Sequence, residues 1–469
     1  MTLHIYNTLT RQKEVFRPII QGNINMYVCG ITVYDLCHIG HARVLVAFDM
    51  IARYLRSQGW SLNYVRNITD IDDKILNRAN ENTELYSVLT ERMINAMHED
   101  ERLLGVLPPD MEPRATEYID EIIAMVKVLV DKNYAYAAKN GDVYYRVSSF
   151  SDYGKLSKRN PEDLLIDARI DLNLSKEDQR DFALWKSAKT GEVSWSSPWG
   201  PGRPGWHIEC SAMSTCCLGA TFDIHGGGPD LPFPHHENEI AQSEAATGEK
   251  YVNYWMHAGA VRVDDEKMSK SLGNFFTIKE VLKKYHPEII RYFLLSSHYR
   301  SPINYSEESL IEAKAGLERF YMTLRQFPDV QPLPLNDLKN RKHYEHFVLA
   351  MNDDFNTREA LALMYDLIRQ INTLAVTDKA EASLLVAELK ALGDIFGILG
   401  SSPEIFMQGG SIASISDGIS SSDIDALISE RVIAKHNHDF LDADRIRKKL
   451  LAQGIVLEDS REGTSWRRQ

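Results

Sequence analysis

Apolar and polar positions alternate with two periods along the first hundred residues, and together they predict an α/β fold. Apolar runs at 24–29 and 62–67 are typical of buried strands, and one or two more strands are predicted before residue 17. Between the runs, residues 42–57 carry apolar side chains at helical spacing and stop before Gly59, a typical C-terminal cap. The acidic segment 68–74 opens the next helix. This order predicts a parallel sheet with right-handed crossovers.

The pattern changes after a helix predicted at 116–132. Two short apolar stretches, 134–138 and 142–147, flank Asn140-Gly141, which is typical of a β-hairpin. The following region is first charged and then rich in tryptophan, proline and glycine, so residues 110–205 are predicted to interrupt the sheet. The α/β pattern then resumes, with helices predicted at 208–218 and 236–247 and strands at 221–225 and 251–260.

The C-terminal part is predicted to be mostly helical. Apolar residues recur at helical spacing at 288–297, 306–326, 343–351, 357–374 and 379–399. A Gly/Ser-rich stretch then predicts a flexible linker, which would let the last domain move relative to the rest. That domain is predicted to contain helices at 424–436 and 440–453 and a strand at 455–457. The predicted division is a Rossmann-like domain in two halves (1–109 and 206–300), a connective insertion (110–205), a helical bundle (301–400), a linker (401–422) and a small C-terminal domain (423–469).

Composition restricts the classes of protein to consider. A chain of 469 residues is too long for one core, and 44% hydrophobic residues without an apolar run near ~18 residues predicts a protein that spans no membrane. The N-terminus lacks the apolar centre of a signal peptide, so a cytoplasmic location is expected. Five cysteines argue against a disulfide framework, and a net charge of −13 argues against a general nucleic-acid binder, though not against local basic patches.

The stretch 26–41, MYVCGITVYDLCHIGH, joins a predicted strand to the start of a helix. His38 and His41 at such a helix start are able to donate hydrogen bonds to phosphate oxygens, and Gly40 leaves room for a nucleotide. The alternative is a surface loop with two solvated histidines. A second stretch, KMSKS, places Lys267 and Lys270 in a cationic loop suited to a leaving pyrophosphate, although a solvated charged face is the common reading of such a run. HIGH followed by KMSKS resembles the paired signature of class I aminoacyl-tRNA synthetases.

A third group consists of Cys29, Cys210, His235 and Glu239. His235 and Glu239 are four residues apart, on one face of a predicted helix or its leading turn, and the quartet offers the donor types that zinc prefers. Its spacing lacks the paired cysteines of a zinc finger, and free cysteines are more often small buried hydrophobes. That second interpretation is kept for Cys37, Cys216 and Cys217, and His225 and His236 are expected to be hydrogen-bonded neighbours of the site.

Longer segments resemble the cysteinyl-tRNA synthetase family from about residue 2 to the C-terminus. They include YVCG, VRNITDIDDK, GWHIECSAM, FPHHENEIAQ, MNDDFNT and GIVLED. The resemblance implies that the quartet binds one zinc that contacts the substrate thiol. It also implies that the amino-acid pocket is formed by Cys29, Gly30, Thr69 and Trp206. The implied ATP site consists of His38, Gly40, His41 and Lys270. The implied tRNA contacts are Arg431, Asp444 and Trp466 of an anticodon-binding domain.

The activity implied is the activation of L-cysteine by ATP, with Mg²⁺, followed by transfer to the 3′ end of tRNA(Cys). Pocket shape distinguishes cysteine from serine by only about 1 to 3 kcal/mol. A thiol loses its proton to zinc far more readily than a hydroxyl, so the metal would recognise sulfur, and we expect the thiolate to enter as a fifth ligand without a separate editing site. A monomer is the family expectation.

Two alternatives share parts of this pattern. One is a ligase that joins cysteinyl adenylate to an amino sugar, which shares the catalytic half but resembles the C-terminal part less. The other is a non-catalytic zinc-binding protein that contacts RNA, in which HIGH and KMSKS would be remnants. Cysteine-dependent exchange of pyrophosphate into ATP would exclude the second alternative.

Overall fold

The computed structural model describes residues 2–159, 175–263, 266–267, 275–408, 420–459 and 463–468. The chain starts with an antiparallel pair, β1 (His4–Asn7) and β2 (Gln12–Val15). It continues as β3 (Asn23–Thr32), α1 (Ile39–Ser57), β4 (Ser61–Thr69), α2 (Asp73–Glu81) and α3 (Tyr86–Leu103). Strands β3 and β4 pair in parallel, as their order with α1 predicts.

The start of α1 is earlier than the apolar spacing predicts. The helix begins at Ile39 because the ring of His38 caps it, accepting hydrogen bonds from the backbone nitrogens of Gly40 and His41. Similarly, α2 begins at Asp73 behind the N-cap Asp72, so residues 68 and 69, predicted to open that helix, still belong to β4.

An antiparallel sheet interrupts the parallel one, within the region predicted as an insertion. It follows α4 (Ile119–Asp131) and has the order β5 (Ala135–Ala137), β6 (Val143–Tyr145), β7 (Phe182–Ser187) and β8 (Gly202–Pro204). The β5–β6 pair is the hairpin predicted around Asn140-Gly141. Aromatic side chains such as Tyr145 and Trp185 form a separate core beneath this sheet.

The parallel sheet is then completed by α5 (Trp206–Leu218), β9 (Phe222–Gly227), α6 (Glu237–Thr247) and β10 (Val252–His257). Its order is β10–β9–β3–β4, with every pair parallel, so β3 and β9 are central strands and the predicted α/β class is confirmed. A small sheet follows, formed by β11 (Val261–Val263), β12 (Glu266–Lys267) and β13 (Ile303–Tyr305), with α7 (Ile278–Lys284) and α8 (Pro287–Leu295) between β12 and β13.

Helices make up the next part of the chain, as the apolar spacing predicts. They are α9 (Glu307–Leu324), α10 (Leu335–Leu338), α11 (Lys342–Asn352), α12 (Thr357–Thr377) and α13 (Lys379–Phe396). The predicted linker starts differently, because α14 (Pro403–Met407) packs the ring of Phe406 on Tyr321 with centroids 4.0 Å apart. Its greater part, 409–419, lies outside the described residues.

The small last domain contains α15 (Ser421–His436), α16 (Phe440–Leu451), β14 (Ile455–Asp459) and β15 (Thr464–Arg468). Its two strands pair antiparallel, and Ile424, Ile446, Leu450 and Trp466 form its core. Within the described part of the chain, no helix is long and apolar enough to cross a membrane.

Candidate active site and metal centre

The histidine motif is held in place by hydrogen bonds to its own backbone. The Nδ1 atom of His38 accepts from the nitrogens of Gly40 and His41, and the Nδ1 atom of His41 accepts from the nitrogen of His38. An imidazole whose Nδ1 accepts a hydrogen bond carries its proton on Nε2 in the neutral form. The two rings are stacked, with centroids 3.7 Å apart, at the positive end of α1. They can therefore act as a pair of N–H donors to an anion.

The chain that follows the KMSKS segment is attached to this motif. Phe276 accepts a hydrogen bond from the nitrogen of Ile39 (3.1 Å), and Ile278 donates to the carbonyl of Cys37 (2.9 Å). Lys267 is the last residue of β12, but its side chain and the whole of Lys270 lie outside the described residues. The two signatures are thus linked through the start of α7.

The four candidate metal ligands come from separate elements and meet behind the carboxyl end of β3. Cys29 lies on β3, Cys210 on α5, His235 in the turn that leads into α6, and Glu239 in the first turn of α6. One ligand atom from each side chain falls within 4.8 Å of all the others, and all four residues are buried. The structure therefore brings together the quartet that the sequence singled out.

The separations within the quartet suit a tetrahedral ion. Cys29 Sγ lies 3.5 Å from Cys210 Sγ and 3.4 Å from Glu239 Oε1, and His235 Nε2 lies 3.0 Å from the same oxygen. Ligand atoms at zinc bonding distances in a tetrahedron are about 3.3–3.8 Å apart. Small shifts of these side chains would therefore complete a site with two sulfur atoms, one nitrogen and one oxygen. The residues fit the metal that the donor set favours.

A second possible set shares two members with the first. Cys29, Glu239, His225 and His236 also offer ligand atoms within 4.8 Å of one another. In this set, however, His225 Nε2 contacts Glu239 Oε2 at 2.8 Å, and the hydroxyl of Tyr251 donates to the same oxygen at 3.1 Å. His236 Nε2 contacts Cys29 Sγ at 3.3 Å. These contacts match the expectation that His225 and His236 are hydrogen-bonded neighbours of the site. The set with two sulfurs remains the better zinc shell.

Burial and neighbouring charges set the protonation of the quartet. Burial raises the pKa of Cys29, and the hydrogen bond from Cys29 lowers the pKa of Cys210 to about 6. Burial alone would raise the pKa of Glu239, but His225 and His235 hold it well below its ordinary value. Burial alone would lower the pKa of His235, but mainly Glu239 raises it to about 10. Two anionic donors thus stand beside protonated ones, and a divalent cation would replace the protons.

The predicted amino-acid pocket lies against the quartet. The ring of Trp206 stacks on His235 with centroids 4.1 Å apart. Thr69, at the end of β4, donates a hydrogen bond to Glu209 (3.0 Å), and Gly30 follows Cys29 and donates its N–H to the side chain of Asn67 (2.9 Å). Side chains that approach a metal site from different elements in this way can form the walls of a pocket for a small substrate.

Sequence reasoning missed several buried polar groups around the quartet. Asn67 Oδ1 accepts a hydrogen bond from the nitrogen of Gly30 and also lies 3.7 Å from Cys210 Sγ. His207 Nδ1 lies 2.9 Å from His235 Nδ1. Tyr251 links Glu239 to Ser214. Asn67 and His207 lie inside the segments that carry the family resemblance, and their place in those segments was the available signal.

The residues predicted to bind tRNA lie in the last domain, far along the chain from this site. Arg431 is buried and pairs with Asp459 through two 2.8 Å contacts. Trp466 is also buried and donates its ring N–H to Asp425, whereas Asp444 is exposed. Arg431 and Trp466 thus hold the domain together in this structure.

Comparison with known proteins gives full-length relatives. Residues 15–315 match the family model described as the tRNA synthetases class I (C) catalytic domain, and residues 346–400 match the DALR domain. The cysteine–tRNA ligase of Azotobacter vinelandii is 61% identical over 467 residues, covering 100% of this chain and 99% of the relative. The cysteine–tRNA ligase of Ectopseudomonas mendocina is 60% identical with the same coverage.

Solved structures with the same fold are more distant in sequence. Mycobacterium tuberculosis methionyl-tRNA synthetase bound by methionyl-adenylate aligns with a TM-score of 0.58 at 13% identity, over 80% of this chain and 89% of that one. A putative arginyl-tRNA synthetase from Campylobacter jejuni aligns with a TM-score of 0.53 at 13% identity, over 81% of this chain and 94% of that one. At this identity the likeness supports the fold alone.

Proposed function

We propose that this chain, which belongs to the cysteine–tRNA ligase family of class I aminoacyl-tRNA synthetases, selects its amino acid through one zinc ion held by Cys29, Cys210, His235 and Glu239. As a member of that family it joins cysteine to tRNA at the expense of ATP. Both alternatives left by the sequence are set aside, because cysteine–tRNA ligases match the chain over its whole length.

The observation that carries the zinc proposal is the convergence of four buried donors from separate elements within 4.8 Å. When bound, zinc would supply an affinity for a thiol that it lacks for a neutral hydroxyl. The protein residues would hold the rest of the amino acid. Trp206, stacked on His235, and Thr69, fixed by Glu209, would border a pocket in which only the sulfur end of the substrate reaches the quartet. The distinction from serine then depends on chemistry rather than on volume.

Activation would take place between the quartet and the histidine motif. The carboxylate of cysteine attacks the α-phosphate of ATP, forming cysteinyl adenylate and releasing pyrophosphate. His38 and His41 would donate their Nε2 protons in hydrogen bonds to phosphate oxygens, with Gly40 leaving space for the nucleotide. Lys267 and Lys270 would neutralise the leaving pyrophosphate, and Mg²⁺ would arrive with ATP. Catalysis would rest on positioning and charge stabilisation.

In the second step, the terminal ribose hydroxyl of tRNA(Cys) attacks the adenylate carbonyl carbon and AMP leaves. We propose that the helical bundle supports the tRNA and that the last domain binds its anticodon. Asp444 would act from the surface, whereas Arg431 and Trp466 would act by maintaining the shape of the domain. We also propose a monomer that works in the cytoplasm, following the family. Sedimentation equilibrium should then give the mass of one chain.

The metal assignment is tested by comparing two buried cysteines. Cys210→Ser should hold much less than one zinc per chain by elemental analysis, and its charging of tRNA with cysteine should fall because the quartet loses a thiolate. Cys37→Ser is the matched control, since Cys37 is equally buried but outside both candidate sets. Full zinc content in Cys210→Ser, with loss of zinc in His236→Asn instead, would favour the second set and contradict the proposal.

The role of the lysines is tested separately from the metal. Lys270→Ala should lose cysteine-dependent exchange of pyrophosphate into ATP while keeping its zinc, because the lysine acts on the leaving group. Lys284→Ala, an exposed lysine at the end of α7, is the matched control and should exchange normally. Normal exchange in Lys270→Ala would reject this role for the lysine.

A further inference from the structure

A cavity of about 730 Å³ lies outside the metal site and the amino-acid pocket. Its walls come from α3, from α7 and the start of α8, and from the end of α13 with the turn that follows it. Arg53 of α1 and Leu36, on the side of the histidine motif, complete the lining. Leucine, alanine and isoleucine side chains such as Leu103, Leu282 and Ile398 make much of this wall apolar. The volume is within the range of cavities that hold small organic ligands, roughly 300–1,000 Å³.

One carboxylate in this wall is buried without a partner among the described residues. Asp100 on α3 is only 5% exposed, yet its carboxyl group accepts no hydrogen bond from the described chain. Two other carboxylates of the wall are engaged: Glu99 pairs with Arg102 at 2.6 Å, and Glu288 accepts hydrogen bonds from the backbone, one of them from Leu399 at 2.8 Å. A third, Asp394, is exposed to solvent. Burial raises the pKa of Asp100 to about 7, and this effect outweighs the nearby charge of Lys279, which lowers the pKa.

We propose that this cavity binds a small organic monoamine with an apolar body, whose ammonium group is held by Asp100. A buried acceptor without a donor is unfavourable, and an ammonium group would satisfy it through a charge-assisted hydrogen bond. The apolar wall would cover the body of the ligand. Arg53, Lys279 and Lys283 also line the cavity, and their charges would repel any positive charge beyond the single ammonium group at Asp100, which disfavours polyamines.

The position of the cavity suggests what its ligand would influence. The helix α7 contributes Leu282 to the wall, and its first residue, Ile278, is hydrogen-bonded to the carbonyl of Cys37, next to His38. Leu36, the residue before Cys37, lines the cavity from the side of the histidine motif. A ligand that contacts both sides would therefore fix the helix start against the histidine motif. This consequence, unlike the binding itself, rests on the proposed function.

Binding is tested by calorimetry at pH 8 with naphthylmethylamine and its neutral counterpart naphthylmethanol. The amine should bind about tenfold more tightly or better, since a charged hydrogen bond to a buried group is worth that much. Asp100→Asn should remove the difference between the two probes. Glu99→Gln, the neighbouring carboxylate that is already paired, is the matched control and should preserve it. Equal affinity of the two probes for the unmodified protein would overturn the proposal even if Asp100→Asn failed to fold.

The link to catalysis has its own readout. Saturating naphthylmethylamine should change the KM for ATP in pyrophosphate exchange for the unmodified protein and leave it unchanged for Asp100→Asn. If the amine binds and the KM stays constant, the link to the histidine motif is wrong while the binding site stands. If exchange is absent altogether, the proposed function fails and calorimetry still decides the site.

Discussion

Gly30 lies directly against the backbone of β4 beside the candidate metal site, and replacing it with alanine should disrupt that site. A Cβ at this position would lie 1.6 Å from the carbonyl oxygen of Asn67 and 2.7 Å from its carbon. Real Cβ contacts essentially never fall below 3.0 Å, so β3 and β4 must separate by at least about 1.4 Å. The atoms in the way belong to the backbone of β4 and have no rotamer to change. Overpacking of this kind costs about 1–3 kcal/mol, or more where the backbone must move.

The same displacement would reach the candidate metal ligands because Cys29 is the residue before Gly30. Its sulfur lies 3.5 Å from that of Cys210, and metal sites tolerate ligand errors of only about 0.2 Å. Gly30→Ala should therefore lower both the free energy of unfolding, by about 3 kcal/mol, and the zinc content measured by elemental analysis. Gly400→Ala, whose Cβ would meet nothing nearer than 3.9 Å, is the control. The reasoning is refuted if both variants hold equal zinc and unfold at the same urea concentration.

Three further predictions concern the rest of the molecule. Asp49→Asn should lower the free energy of unfolding in urea by about 3–5 kcal/mol because it leaves Arg291, 1% exposed, without its buried partner; an unchanged midpoint would contradict this. Asp100 keeps its proton up to about pH 7 in the folded protein but loses it near pH 4 when unfolded, so the free energy of unfolding should decline as the pH rises from about 4 to 7. Urea titrations at each pH should show a smaller decline for Asp100→Asn. Iodoacetamide should modify the exposed Cys216 in the folded protein. It should modify the buried Cys37 only after unfolding, because burial raises the pKa of that thiol, and the mass of the intact protein will show the number of modified cysteines.

The elements of the fold could be predicted where the sequence carries both a period and a boundary signal. The hairpin at Asn140-Gly141 and the long helices of the bundle are examples. Helix α3 was missed: its first turn lacks a capping side chain, because Leu85 stands at the N-cap position, and charged residues obscure its apolar stripe. The early start of α1 was missed because a histidine is an uncommon cap and only the structure shows its ring turned to the backbone.

The candidate site could be predicted only in part. Residue types and the family resemblance identified Cys29, Cys210, His235 and Glu239, but periodicity has no means to bring together groups more than a hundred residues apart. The pairing of β3 with β9 does part of this, since it places Tyr27 beside His225 and brings α6, which follows β9, to the edge of the sheet near Cys29. Helix α5, which packs against β3, β4 and α6, brings Cys210 to the same place. The second set of donors arises from this pairing as well, and no spacing in the sequence distinguishes the two sets.

What distinguishes them is the orientation of one carboxylate. Glu239 has two oxygens, and each faces a different environment: Oε2 contacts His225 and Tyr251, whereas Oε1 contacts Cys29 and His235. If Oε2 turned to a metal, the buried imidazole of His225 would lose this contact, at a cost of about 1–3 kcal/mol, and the hydroxyl of Tyr251 would keep only Ser214 as a partner. The protein therefore presents Oε1 to the sulfurs before any ion arrives. Because less reorganisation is then needed, the soft and hard donors can share one site, and in the proposed metal centre His225 would support Glu239 rather than bind the ion.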